Sequence, residues 1–397
     1  MSEYFSIVRV KDDITKEVRP ICVGPDGVFA PVALYIHELR SWRGYASGSI
    51  EDIAYILCGW LNYTAKVAVQ WNNVTDTNYL NYLKSEKNKD GLGRNRSNRI
   101  ASIIARWYVF LVSKDIGGVA LSRFVESVTL PDGRGTHNAS LAYRFRAKRG
   151  PKLKNGKKHV PRVGEVERVL DKLADTPSPF TSERDLLLGM VAARTGLRAM
   201  GLAALSLTAV TAMLAREGLL KSHQSIEHFT LDASAQAGIR ASLAQLVSNG
   251  RKNLILKVTE KGENTRSVLF PIDLLVSILD HIWQARAFLI RQSGSGAVDA
   301  LWITATPRPR ELAIGSLKKI VAAAFTAANV RGSVHSFKAH YLTMLAAKLR
   351  NEAIARDGPG YDGRTVMLQL AEAAGHKTFT TLAHYLDEAV LFDTVAD

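Results

Sequence analysis

Apolar side chains recur at helical intervals through the first third of the chain. Ile50, Ile53, Leu57, Trp60 and Leu61 fall on one face of a helical repeat, and Ile100, Ile103, Ile104, Trp107 and Leu111 fall on another. Residues 74–83 suit a further short helix between them, so 46–142 predicts a small helical bundle. Upstream, residues 1–45 look partly extended: Phe5-Ser-Ile-Val-Arg-Val10 precedes a Gly24-Pro-Asp-Gly27 turn signal, the pattern of a short hairpin. Beyond 160 the pattern is mostly helical, and Ser182-Glu-Arg-Asp185 has the form of a capping box ahead of the apolar run 186–193. One β signal stands out there. Leu254, Leu256 and Val258 alternate, Glu260-Lys-Gly-Glu263 turns, and 267–270 runs back to Pro271, which predicts a hairpin.

At 397 residues, with 47% apolar and 22% charged side chains, the chain can support two or three separate cores. Charge changes the picture more. Lys and Arg number 52 against 37 Asp and Glu, leaving a net charge of +15 and a pI near 9.7. Such a surplus favours a polyanionic partner, because each phosphate met by Lys or Arg releases condensed counterions. Nucleic acid leads over a membrane surface, since no run approaches the roughly 18 apolar residues that span a bilayer. Residues 1–11 mix charges without an apolar core, so no signal peptide is expected. Cys22 and Cys58 suit neither a disulfide scaffold nor a metal cluster, and a cytoplasmic location, on the nucleoid in a bacterium, is the expectation.

Basic residues concentrate in two stretches. Lys87, Lys89, Arg94, Arg96 and Arg99 sit amid Gly and Asn and read as a loop. Between 144 and 162, nine basic residues occur without one Asp or Glu: Arg144, Arg146, Lys148, Arg149, Lys152, Lys154, Lys157, Lys158 and Arg162. Interrupted by Gly150, Pro151 and Gly156, this segment predicts a linker, 143–162, laid along something negative; a merely solvated linker is the ordinary alternative. Arg94, Arg96, Arg99 and the basic residues from Arg144 to Lys158 are the candidate DNA contacts. The expected organisation is an extension (1–45), a helical bundle (46–142), the linker, and a second domain (163–397).

Candidate chemistry lies in that second domain. Gly196 breaks a helix and leaves Arg198 at the break, with Leu202, Leu205 and Leu207 following as an apolar stripe. An arginine held between two helices can donate paired hydrogen bonds to a phosphate, although most such arginines only cap or solvate a helix end. Moving a phosphodiester onto a protein hydroxyl without metal or ATP requires a nucleophile, cations around the non-bridging oxygens and an acid for the leaving oxygen. The second half of the chain holds candidates for each.

Thr195-Gly-Leu-Arg198 resembles the first-arginine motif of the tyrosine recombinase (phage integrase) family, and three more motifs follow in that family's order. Val258-Thr-Glu-Lys-Gly-Glu-Asn-Thr-Arg266 resembles its β-turn, with Lys261 at the catalytic lysine. His335-Ser-Phe-Lys338 resembles the HxxR box. Ala374-Gly-His-Lys-Thr-Phe-Thr-Thr-Leu-Ala-His-Tyr385 resembles the closing Gly-His and tyrosine, with nine positions from His376 to Tyr385. The resemblance implies a mainly α fold with a small β-sheet or hairpin in the catalytic domain, preceded by a helical core-binding bundle. It implies a site-specific recombinase or integrase of a mobile element, cleaving and rejoining DNA through a 3′-phosphotyrosine with no cofactor and no metal. Tyr385 would be the nucleophile, Arg198 and His376 would steady the pentacoordinate phosphate, His335 would assist proton movement, and Lys261 would protonate the leaving oxygen. The implied partners are double-stranded DNA, a synaptic tetramer assembled on it, and accessory DNA-bending proteins, with 386–395 as a helix exchanged between protomers.

Three departures accompany the resemblance. Lys338 stands where the family has its second arginine, and so lacks the planar fork. Gly201 stands where an acidic residue is usual. The interval from Arg198 to Lys261 is 63 positions, long for the family, with helical patterns at 213–220 and 233–247 that read as an added surface element. His340 and His384 read as structural or surface residues. A DNA-binding protein that keeps the fold without catalysis is the first competing function, and a type IB topoisomerase or telomere resolvase is the second. A Ser/His hydrolase is disfavoured because no Gly-x-Ser-x-Gly elbow is present.

Overall fold

In the computed structural model, which describes every residue outside 1–3, 12–17, 42–44, 46, 91–93, 119–124, 131–139, 146–158, 222–223, 260–264, 295, 359, 375–384 and 386–397, the chain forms two units, Met1–Gly156 and Lys157–Asp397. Each has its own hydrophobic core. Among the described residues the fold is mainly α, with three small antiparallel sheets.

The first unit opens on β1 (Ser6–Lys11) and β2 (Val18–Gly24), paired with Ser6 opposite Val23 and Lys11 opposite Val18. β3 (Gly27–Val28) folds back on β2 where Gly27, at φ 106°, takes a conformation that side chains disfavour. After that turn the partly extended segment gives way to a helix. Ala30–Ser41 is a helix, α1, because Val32, Tyr35, Ile36 and Leu39 form a stripe that the core buries, and Pro31 sits in the first turn where no amide donor is needed. α2 (Ser47–Lys66), α3 (Asp76–Asp90) and α4 (Arg94–Ser113) complete the helical set.

The described residues of the basic stretch 87–99 are thus helical, not a loop. Lys87 and Lys89 belong to α3, and Arg94, Arg96 and Arg99 to α4. Lys and Arg are good helix formers, so their charge does not exclude them from either helix. Arg99 pairs with Asp52 of α2 at 2.5 Å. The core centres on Trp60, Trp107 and Tyr108. Trp60 Nε1 donates to the Tyr108 hydroxyl at 2.8 Å, and that hydroxyl donates to Trp71 O at 2.7 Å. Burial raises the Tyr108 phenol pKa, although the Trp60 hydrogen bond pulls it down.

A second correction concerns the expected linker. β4 (Val125–Leu130) and β5 (Ser140–Phe145) form an antiparallel pair in which Glu126 lies opposite Arg144. Arg144 is therefore a strand residue, and the β-branched and aromatic positions around it outweigh its charge. Arg146, Lys148, Arg149, Lys152, Lys154, Lys157 and Lys158 lie outside the described residues. Arg162 is the N-cap residue of the next helix and donates its backbone amide to Glu165 Oε2 at 2.8 Å.

The second unit begins with α5 (Val163–Ala174) and α6 (Pro179–Thr195). α6 starts at Ser178 and Pro179 rather than at Ser182. Proline occupies the first helical position, and Ser182 Oγ instead donates to Ala174 O at 2.5 Å. α7 (Ala199–Ala203) and α8 (Leu207–Arg216) follow, then a 3-10 turn at Ile226–Phe229 and α9 (Ala233–Ser248). This stretch is anchored to the rest of the unit. Arg240 binds Asp280 at 2.5 Å and lies 5.1 Å from the Trp283 ring centroid, while Trp283 Nε1 donates to Ile226 O.

β6 (Asn253–Thr259) and β7 (Thr265–Pro271) form the expected hairpin, with Asn253 opposite Pro271 and Thr259 opposite Thr265. α10 (Ile272–His281) runs through a π-turn at Ile282–Arg286 into α11 (Ala287–Ser293). α12 (Ile314–Ala327), α13 (Val334–Asp357) and α14 (Gly363–Ala374) follow. Leu188, Val191, Leu202, Leu254, Phe270, Ile278, Trp302 and Phe337 meet in its core. Among the described residues, no helix is long and apolar enough to cross a membrane.

Candidate active site

The break between α6 and α7 is built by one glycine. Gly196 caps α6 at φ 63°, ψ 23°, the left-handed region, and donates its amide to Ala192 O at 3.2 Å. A Cβ there would lie 2.4 Å from Cδ1 of Tyr341, so the position excludes a side chain for reasons of both conformation and space. Two residues on, Arg198 is the N-cap of α7 at φ −75°, ψ 163°, and its carbonyl accepts from Leu202 N at 2.9 Å. Leu197 and Leu202 are fully buried on either side. The backbone under Arg198 is thereby held by core contacts while its side chain stays partly exposed. Arg194, one turn earlier, is occupied differently: it grips Asp273 through two hydrogen bonds of 2.6 and 2.9 Å and holds that carboxyl below the usual range.

Tyr385 packs onto the same unit. It is buried with Leu342 and Ala346 of α13 and Leu370 and Ala371 of α14. Burial raises its phenol pKa above the ordinary value, and the positive charge of Arg198 pulls in the opposite direction. The fold therefore brings two of the anticipated site residues, Arg198 and Tyr385, within electrostatic reach of one another.

α13 contributes the HxxR-like segment. Ser333 caps the helix, its Oγ accepting from His335 N at 3.3 Å, and its own amide donates to Ser336 Oγ at 3.1 Å. His335 is exposed in that first turn. One turn later Lys338 is only 1% exposed, buried where most lysines are solvated. His340 is a structural residue. Its ring Nδ1 pairs with Pro161 O at 2.8 Å, which requires the Nδ1–H tautomer, and burial lowers its pKa.

Sequence reasoning missed Arg266. This residue of β7 donates Nη1 to Ala373 O at 2.8 Å and Nη2 to Gly196 O at 3.3 Å. Its charge also acts on the phenol of Tyr341, where burial is again the larger influence and raises the pKa. A cavity of about 490 Å³, lined in part by Thr195, Ile255, Tyr341, Gln369 and Glu372, adjoins the guanidinium. Nothing local to Arg266 in sequence marks it, because both acceptors are far away in the chain. Lys261 and His376 lie outside the described residues, as does the expected exchanged helix at 386–395.

No protein-family model matches the sequence, and no curated protein matches it. Solved structures do. The XerH site-specific recombinase bound to palindromic difH substrate, a post-cleavage complex, matches at 14% identity over 90% of this chain and 83% of that one, with a TM-score of 0.52. The pre-cleavage complex of XerH with difH matches at 15% identity over 92% and 84%, with a TM-score of 0.49. A lambda integrase(75–356) dimer bound to a COC′ core site matches at 10% identity over 90% and 95%, with a TM-score of 0.47. At 14% identity the likeness to the post-cleavage XerH complex is one of fold.

Proposed function

We propose that the chain is a site-specific DNA recombinase of the tyrosine type, which cleaves and rejoins DNA through a 3′-phosphotyrosine. The observation that supports this reading is that the positive charge of Arg198 acts on the buried phenol of Tyr385, two residues remote in sequence whose types a phosphoryl transfer to tyrosine requires. In the proposed reaction the Tyr385 oxygen attacks the scissile phosphorus, and the bond to the 5′-oxygen breaks. Lys261 supplies the proton to that oxygen, and His335 assists proton movement. Arg198 and His376 meet the charge that grows on the non-bridging oxygens. The phosphotyrosine conserves the energy of the bond, so attack by a 5′-hydroxyl rejoins the strand without a cofactor.

DNA would be held by the basic residues of α4 and of the segment leading into α5, and four copies would assemble on paired recombination sites of a mobile element. Contacts of this kind position the protein through phosphates, so binding should fall steeply as salt rises. The test is a duplex nicked near the scissile bond, incubated with the full chain and run under denaturing conditions. A covalent adduct that forms with the unchanged chain and vanishes in Tyr385→Phe supports the proposal. Site binding with no adduct from the unchanged chain sinks it.

The burial of Lys338 favours one second reading, a DNA-binding protein of the same fold without catalysis, because a cation beneath the surface is poorly placed to meet a phosphate arriving from solvent. The same adduct assay separates the two.

A further inference from the structure

We infer that Arg266 is a positioning residue for the proposed strand-transfer site, tying the helix end that precedes Arg198 to the helix end that precedes His376 and Tyr385. This rests on the recombinase reading for its functional consequence, although the tie itself does not. The two acceptors are Gly196 O, at the C-cap of α6, and Ala373 O, in the last turn of α14. Carbonyls at helix C-termini have no amide partner within their own helix and carry the negative end of the helix dipole. A cation is their natural complement.

Arginine suits this place for a geometric reason. Its planar fork presents two nitrogens at fixed separation, so one guanidinium can serve two carbonyls that belong to different helices. Those carbonyls lie 70 and 107 positions from Arg266 in sequence. The Gly196 side of the tie is also blocked sterically, because the Tyr341 ring lies where a Cβ would project. Gly196 is thus clamped between the ring and the guanidinium, two residues ahead of Arg198. Ala373 stands three residues ahead of His376. With two nitrogens engaged by carbonyls and the side chain half-buried, Arg266 acts through these neighbours and does not itself receive the phosphate.

The test compares Arg266→Gln and Arg266→Lys with the unchanged full chain, in three readouts. Affinity for the recombination site should stay within about threefold. Single-turnover adduct formation should slow by roughly 10²-fold in Arg266→Gln, the scale expected when reacting groups are misplaced by about an ångström. Arg266→Lys, which keeps the cation but reaches one carbonyl at a time, should recover part of that loss. Hydrogen–deuterium exchange should quicken at 196–202 and 366–374 in Arg266→Gln and less so in Arg266→Lys. Wild-type cleavage rates in either folded variant overturn the inference. Should the glutamine variant fail to fold, the lysine variant decides alone. Should the unchanged chain form no adduct, the recombinase reading falls, and unaltered exchange at both segments then overturns the tie independently.

Discussion

The charge of Arg198 acts on the phenol of Tyr385, and burial of that phenol acts against it and prevails. The sign fixes the protonation state. A tyrosine whose pKa is held above its ordinary value of 10 is neutral throughout the physiological range and must lose its proton as it attacks. Titration of ¹³Cζ-labelled tyrosine, with the signal assigned by Tyr385→Phe, should give no transition for Tyr385 below pH 10. Arg198→Met removes the opposing charge and should move the transition higher still. A midpoint under 10 in the unchanged chain would contradict this picture.

Gly196→Ala should destabilise the second unit by about 2–4 kcal/mol, combining a left-handed φ forced on alanine with overpacking against Tyr341. In a Tyr341→Ala background the steric part disappears, and the same change should cost about 1–2 kcal/mol. Urea denaturation of the four proteins in this cycle measures the difference. Equal costs in both backgrounds would show that the ring contact is unimportant.

Lys338→Arg restores the residue type that the family resemblance implies, yet it should weaken the protein. The side chain is 1% exposed, so a broader guanidinium must displace packed neighbours, at about 1–3 kcal/mol. The denaturation midpoint should fall, with no gain in adduct rate. A more stable or faster arginine variant would mean that the buried site has room to spare.

His340 predicts a pH dependence of stability. Its folded pKa is lowered from 6.5, chiefly by burial. The unfolded chain therefore takes up this proton first as pH falls, so the stability is fully present above 6.5 and is lost as pH drops through the folded value. Melting temperature should decline below pH 6.5, and His340→Gln should flatten that part of the profile. A profile with the same slope in the variant would assign the decline to other groups.

Much of this architecture is legible in local patterns. The hairpin β6–β7, the glycine break before Arg198 and the helix at 233–248 each depend on neighbours a few residues away, so alternation, a turn or a helix stop suffices to predict them. Local signals misled where two of them competed. Charge at Lys87, Lys89, Arg94, Arg96, Arg99 and Arg144 suggests loop and linker, but helix propensity and β-propensity prevail at these residues. The stripe of α1 was obscured by the turn just before it.

The sequence by itself determined which residue types were available for phosphoryl transfer, and in what order along the chain. Only the tertiary structure decided that Tyr385 is buried where the charge of Arg198 acts on it, that Lys338 lies beneath the surface, and that Arg266 joins two helix ends. The physical reason is the range of the forces involved. Strand alternation and helix capping act over a few residues, whereas desolvation and the pairing of an arginine with remote carbonyls depend on which distant segments share a core.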